Sequence, residues 1–232
     1  MRLAKYLAHS GVASRRKAEV VISDGRVRVG GQVVTDPATN VEIGEDIKVD
    51  GRSVVPEGHE VWVVNKPIDV ISTADEPGKR VAVVDLVDSQ ARLYPVGRLD
   101  ADSTGIILLS NNGELANRMT HPRYGVKKTY RVGLVRRIND AELRSLETGV
   151  RLDDGPTAPA EVRRISERSF DISIREGRNR QIRRMAEAVG NEVVELKRIS
   201  IGHLKLGRLG VGKYRLLDEQ EVARLWKDAE HE

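Results

Sequence analysis

At 232 residues with 39% hydrophobic side chains, the chain can bury a core for one ordinary domain plus a small one. Aromatics are only 3%, so that core must be built from Val, Ile, Leu and Ala. The lack of cysteine excludes disulfides, thiolate catalysis and cysteine-based zinc sites, and the net charge of +4 says less than its distribution. Residues 1–30 hold seven Lys/Arg against two acids, residues 175–184 five Arg against one Glu, and residues 197–217 six Lys/Arg and no acid. Such segregation leaves basic faces on a nearly neutral protein, as a polyanion binder requires, although any one cluster also reads as solvated surface. No window reaches the apolar length of a membrane span. Met1-Arg2-Leu3-Ala4-Lys5 opens no signal peptide, and the cytoplasm is the expected location.

In chain order, Leu3, Tyr6, Leu7 and Val12 predict a short helix with its apolar side inward. Ser14 is the expected N-cap of a second helix over Arg15–Ile22, with Ala18, Val21 and Ile22 on one face. Arg26–Val29 and Gln32–Val34 read as strands around a Gly30-Gly31 turn, and Ile47–Val49 as a third strand. Arg2, Lys5, Arg15, Arg16, Lys17, Arg26 and Arg28 are placed to share one face of this module. Val54–His59 reads as a linker, and a new strand begins at 60–64. Beyond it, strands are expected at 93–96, 104–110, 128–135, 160–165, 169–175 and 193–201. Helices are expected at 113–120, 139–148, 179–189 and 218–227. The fold class is α+β.

Between two of these strands lies the polar, glycine-flanked stretch Gly97-Arg98-Leu99-Asp100-Ala101-Asp102-Ser103-Thr104-Gly105. Composition alone reads Asp100, Asp102 and Ser103 as turn residues bonding to nearby amides. The other reading is a catalytic loop held by a rigid sheet.

Gly97-Arg98-Leu99-Asp100, then Thr104-Gly105 and a leucine-rich strand ending in Asn111-Asn112-Gly113-Glu114-Leu115, resembles the signature loop of the RsuA/RluA superfamily of pseudouridine synthases. Asn65-Lys66-Pro67, Lys128-Thr129-Tyr130 and the stretch from Glu176 through Arg178, Arg180, Gln181, Ile182 and Arg183 to Met185 resemble further motifs of that family, in order. Ser14–Glu19 and Gly25–Val29 resemble an S4 RNA-binding domain, with Gly30-Gly31 where that domain usually carries Asn-Gly. With His121-Pro122 and Asp154-Gly155-Pro156, the pattern is nearest to the RluB-like branch, which modifies 23S rRNA.

The resemblance implies an S4 domain over residues 1–55, a linker at 56–59, and a mixed, mainly antiparallel-sheet catalytic domain over 60–232. It implies that Asp100 attacks the ribose or base of a target uridine, so that uracil detaches, turns and rejoins through carbon. Arg183 is then the basic partner that holds Asp100 ionised, and Tyr130 the platform on which the flipped base stacks. Ile182 lines the uracil pocket and Leu99 supports the loop. Arg98 reaches a phosphate or holds the loop, and Arg178, Arg180 and Arg184 contact phosphates. No cofactor or metal is implied. The partner is ribosomal RNA, 23S by resemblance, or a pre-ribosomal particle, and the enzyme is expected to act as a monomer.

Two other functions fit parts of the sequence. A non-catalytic S4 protein that binds rRNA as an assembly factor keeps the basic clusters but does not need Asp100, Tyr130 and Arg183 together. An S4-linked methyltransferase needs a glycine-rich methyl-donor loop, and none follows Val61–Pro67. A 16S-directed synthase shares the same motifs.

Overall fold

The apolar spacing at the N-terminus does make a helix. In the computed structural model, which describes residues 1–74, 78 and 80–230, α1 (Leu3–His9) buries Leu3, Ala4, Tyr6 and Leu7. Val12 departs from expectation: the chain leaves the helix at Ser10, Gly11 turns it with a φ of 70°, and Val12 is exposed. Ser14 caps α2 (Arg15–Ser23), its Oγ accepting from the Lys17 amide at 3.3 Å. Ala18 and Ile22 go inward.

β1 (Val27–Val29), β2 (Gln32–Val34), β3 (Ile47–Val49) and β4 (Arg52–Ser53) pair antiparallel in the order β2-β1-β3-β4. Gly30 and Gly31 both take positive φ, as a two-residue hairpin turn demands. Leu3, Tyr6, Leu7, Ile22, Val27, Val41 and Ile47 close a core of their own. The chain divides into two compact units, Met1–Glu60 with Ser89–Arg92, and Val61–Asp88 with Leu93–Glu232.

The second unit is built on β5 (Val61–Lys66), β6 (Tyr94–Val96), β7 (Thr104–Ser110), α3 (Gly113–Thr120), β8 (Lys128–Leu134), α4 (Asp140–Thr148), β9 (Arg151–Leu152), β10 (Gly155–Pro156), β11 (Glu161–Ser166), β12 (Ser169–Ile174), α5 (Gln181–Ala188), β13 (Val193–Ile201), β14 (Leu204–Lys205), β15 (Tyr214–Leu216) and α6 (Glu219–Asp228). Among the described residues, nine strands form one sheet along the path β11-β12-β8-β13-β7-β5-β15, with β14 on β13 and β6 on β7. β9 and β10 make a separate hairpin.

Ile106–Leu109 are fully buried, which is why β7 reads as a continuous apolar run: it is covered on both faces. β13 joins β7 in parallel only at Lys197–Thr104 and Arg198–Gly105. This closeness requires glycine. Gly105 has a φ of 103°, and a Cβ there would stand 2.2 Å from the Arg198 carbonyl oxygen. His203, isolated in the sequence, ties the β13–β14 turn to α6, with Nδ1 2.6 Å from Asp228 Oδ2.

Candidate active site

The loop between β6 and β7 is held by its backbone. Arg198 Nη1 donates to the Arg98 carbonyl at 3.4 Å. Ser72 Oγ donates to the Leu99 carbonyl at 2.8 Å and accepts from the Leu99 amide at 3.0 Å. The Ser103 amide donates to the Asp100 carbonyl at 3.0 Å, and the Asp69 amide to the Ala101 carbonyl at 2.9 Å. Arg183 Nη2 donates to the Asp102 carbonyl at 2.9 Å. Thus each carbonyl from 98 to 102 is anchored, four of them by groups outside the loop. By contrast, the Asp100 carboxylate accepts no hydrogen bond and joins no ion pair among the described residues. The loop is fixed while its first acid is left available.

Lys66 supports the loop from below. Its buried ammonium donates to the carbonyls of Pro67 and Val70 at 2.9 and 2.7 Å and reaches that of Ala101 at 3.4 Å. Burial pushes its pKa from 10.5 down to about 8, against the pull of Asp102, Asp100 and Asp69. Asp100 is thus one of three acids whose charge reaches this buried lysine.

Asp100 borders a cavity of about 390 Å³. Tyr130, 9% exposed, lines it from β8, and Arg198, 3% exposed, from the facing position on β13. Leu99 and Ile182 are buried and line it too, with Leu108, Met119, Ile174, Leu196 and Ile201 supplying apolar wall. Arg98, Arg178 and Arg180 stand around it. Lys128 also lines it, donating to the Val126 carbonyl at 3.1 Å. Burial, and secondarily the charge of Arg198, lower the Lys128 pKa to about 8. Asp100, Arg98 and Leu99 also border a second cavity of about 410 Å³, with Ile71, Ser72 and Thr73.

Arg183 corrects an expectation. α5 does turn it toward the loop, but its guanidinium meets the second acid rather than the first: Nη2 lies 3.3 Å from Asp102 Oδ2, and Nη1 donates to the Val193 carbonyl at 3.0 Å. It is 8% exposed and does not line the cavity. The reason is reach. The Val193 and Asp102 carbonyls hold the two ends of the guanidinium away from Asp100.

The expected phosphate contacts are already engaged. Arg180, at a φ of 46°, pairs with Asp102 at 3.1 Å. Arg178 grips the β9–β10 hairpin through Asp154 and the Gly155 and Pro156 carbonyls, and pairs with Glu176. Arg184 pairs with Asp153 and Asp154 and does not line the cavity. Asp153-Asp154 is thus a turn docked on α5. In the first unit, Arg2, Arg15, Arg16, Lys17, Arg26 and Arg28 are exposed and Lys5 half-buried. Arg26 is paired with Asp50, Nε to Oδ1 3.0 Å.

Sequence reasoning missed Arg198, Ser72 and the electrostatic part of Lys66 and Lys128. A signal existed for Arg198: it falls in phase with Leu196 in an alternating strand, so a charged residue takes an inward position.

Comparison with known proteins gives a consistent result. A family model described as RNA pseudouridylate synthase matches residues 60–188, and an S4 domain model matches residues 1–47. The ribosomal large subunit pseudouridine synthase B of Bacillus subtilis (strain 168) is 44% identical over 99% of this chain and 97% of its own length. The dual-specificity RNA pseudouridine synthase RluF of Escherichia coli O6:H1 is 36% identical over 98% of this chain and 79% of its own. A solved structure described as a pseudouridylate synthase superposes with a TM-score of 0.72 at 28% identity, covering 97% of this chain and 99% of that one.

Proposed function

The chain belongs to the RNA pseudouridylate synthase family, and on that premise we propose that it converts one uridine of 23S ribosomal RNA to pseudouridine, with Asp100 as nucleophile. One observation carries the assignment. A carboxylate with no hydrogen bond or ion pair among the described residues, on a loop whose carbonyls from 98 to 102 are anchored, borders the same cavity as a buried tyrosine. A nucleophilic carboxylate must be ionised and preorganised. The isomerisation breaks the C1′–N1 bond and makes C1′–C5; a proton leaves C5 and one joins N1, so nothing is added or lost. Attack by Asp100 splits that exchange into two steps. The target atoms are inaccessible while the base remains stacked, so the nucleotide must swing out. Tyr130 then offers a stacking surface worth roughly 1–3 kcal/mol, and Leu99 and Ile182 close the apolar sides of the pocket. Arg98 and Arg180 supply cations at the rim. Arg183 holds the loop through Asp102 instead of pairing with the nucleophile. Arg178 and Arg184 brace the β9–β10 hairpin beside the site.

The 23S assignment is supported by the name of the Bacillus subtilis relative. Pseudouridine mapping of rRNA from cells with and without this protein tests it, and loss of a 16S site instead would redirect it. Asp100→Asn is expected to abolish pseudouridine formation and to change affinity for an rRNA fragment by no more than about threefold, since binding rests mainly on phosphate contacts. Normal turnover by that variant would refute the nucleophile.

A further inference from the structure

Arg198 is the least accessible cation of the cavity wall, and its guanidinium is only partly used. Nε donates to the Ile106 carbonyl at 2.8 Å. Nη1 faces two acceptors at long range, the Arg98 carbonyl at 3.4 Å and the Tyr130 hydroxyl at 3.5 Å. Nη2 has no acceptor among the described residues, although it is buried. Buried N–H groups without partners are rare because each costs free energy, more so on a charged group. The residue that carries it lines the cavity bordered by Asp100 and Tyr130.

The fold goes out of its way to bring it there. β13 delivers Arg198 opposite Tyr130 on one side and opposite Gly105 on the other. A Cβ at position 105 would meet the Arg198 backbone at 2.2 Å, so the glycine is what lets the arginine strand come this close. The guanidinium carbon lies 5.9 Å from the Tyr130 ring centroid, at the ring's hydroxyl end.

We propose that Arg198 is a substrate-binding and positioning residue whose Nη2 donates to a carbonyl oxygen of the pyrimidine base held against Tyr130. This rests on the pseudouridine synthase reading of the cavity and assigns it a recognition contact. Depth selects the base over the phosphate. Arg98, Arg175 and Arg180 are exposed around the cavity and suit a solvated backbone, whereas Arg198 is 3% exposed. A uracil carbonyl is an acceptor small and neutral enough to reach it. Through Nη1 the same guanidinium spans the loop of Asp100 and the hydroxyl of Tyr130, so one side chain sets base, platform and nucleophile in register.

The test uses the full chain with Arg198→Met and Arg198→Lys, and uridine 5′-monophosphate as probe, titrated by NMR. The Met variant is expected to weaken nucleotide binding by about tenfold or more, the value of a hydrogen bond to a charged donor. Its single-turnover rate on an rRNA fragment should fall by about a hundredfold or more, while the fragment's Kd changes less than about threefold. Lys restores part of the rate, having one donor centre where Arg has three. Should the Met variant fail to fold, the Lys variant carries the measurement alone. Unchanged nucleotide affinity in a folded variant overturns the proposal, as does a wild-type chain that does not bind the nucleotide. A wild-type chain that binds the nucleotide yet modifies no rRNA overturns the functional reading instead, and the titration still decides Arg198.

Discussion

Lys128 and Lys66 lie in one unit, on β8 and β5, and differ in what their charge serves. Lys66 spends its donors on three carbonyls beneath the Asp100 loop, whereas Lys128 lines the cavity with one bond to the Val126 carbonyl. Burial lowers both pKa values to about 8. For Lys128 the sign follows directly. Below pH 8 the ammonium is charged and would attract an RNA phosphate; as pH rises through about 8 that charge goes. Affinity for an rRNA fragment is therefore expected to fall between pH 7 and 9 at constant salt, and Lys128→Arg to hold it level across that range. Filter binding at several pH values checks it, and identical profiles for wild type and variant would rule the contact out. In Lys128→Met the slope of log Kd against log salt should drop by about 0.7, one phosphate contact on a single strand.

Some of these residues are legible in the sequence. Asp100 and Tyr130 stand in motifs that carry family resemblance, and glycine-flanked acids between apolar strands point to a held loop. Arg198 is not legible there as a site residue. Its closest partners are Ile106, 92 residues away, and the strand of Tyr130, 68 residues away, and no local pattern encodes which strands meet. Arg183 is half-legible: the helical spacing turns it to the loop correctly, but which of two acids it meets depends on ångström-scale placement.

At the scale of elements, α5 and the loop before β7 are joined by Asp102, which takes Arg180 at 3.1 Å and Arg183 at 3.3 Å. Arg183 is nearly enclosed, so removing the acid leaves a buried cation short of one acceptor. Asp102→Ala is expected to cost about 1–3 kcal/mol in urea unfolding. Turnover should fall by about tenfold or more because the loop loses its tie to the helix. Retention of both full stability and full turnover would contradict the tie. The longer elements sit close to the positions their periodicity indicates: β7, β13 and α3 coincide with the expected spans. The elements that periodicity does not reveal are short. β4, β9, β10 and β14 have two residues each, too few to show any alternation. They exist because a turn such as Asp50-Gly51, both at positive φ, brings neighbours into register.

For the whole molecule, the two units close separate cores, one around Leu3, Leu7, Ile22 and Ile47, the other around Val61, Ile106, Leu108, Leu115 and Leu225. The first is small enough to be marginal alone. Deleting residues 1–55 is therefore expected to leave a cooperative thermal transition for the remainder. Affinity for a structured rRNA fragment should drop by about tenfold or more, as Lys/Arg contacts are lost. Calorimetry and filter binding on the truncated chain decide it; undiminished affinity would remove RNA binding from the N-terminal unit.

The pairing of β7 with β13 also has a consequence in time. During synthesis the Asp100 loop emerges well before one of its supports, because Arg98 and the Arg198 that bonds to its carbonyl are 100 residues apart. A nascent or prematurely ended chain that stops after α5 displays the whole Gly97–Asp100 signature with no Arg198 beneath it. Such a fragment carries the emblem of the enzyme without its pocket. The pocket is complete only once β13, the strand between β8 and β7, has been made.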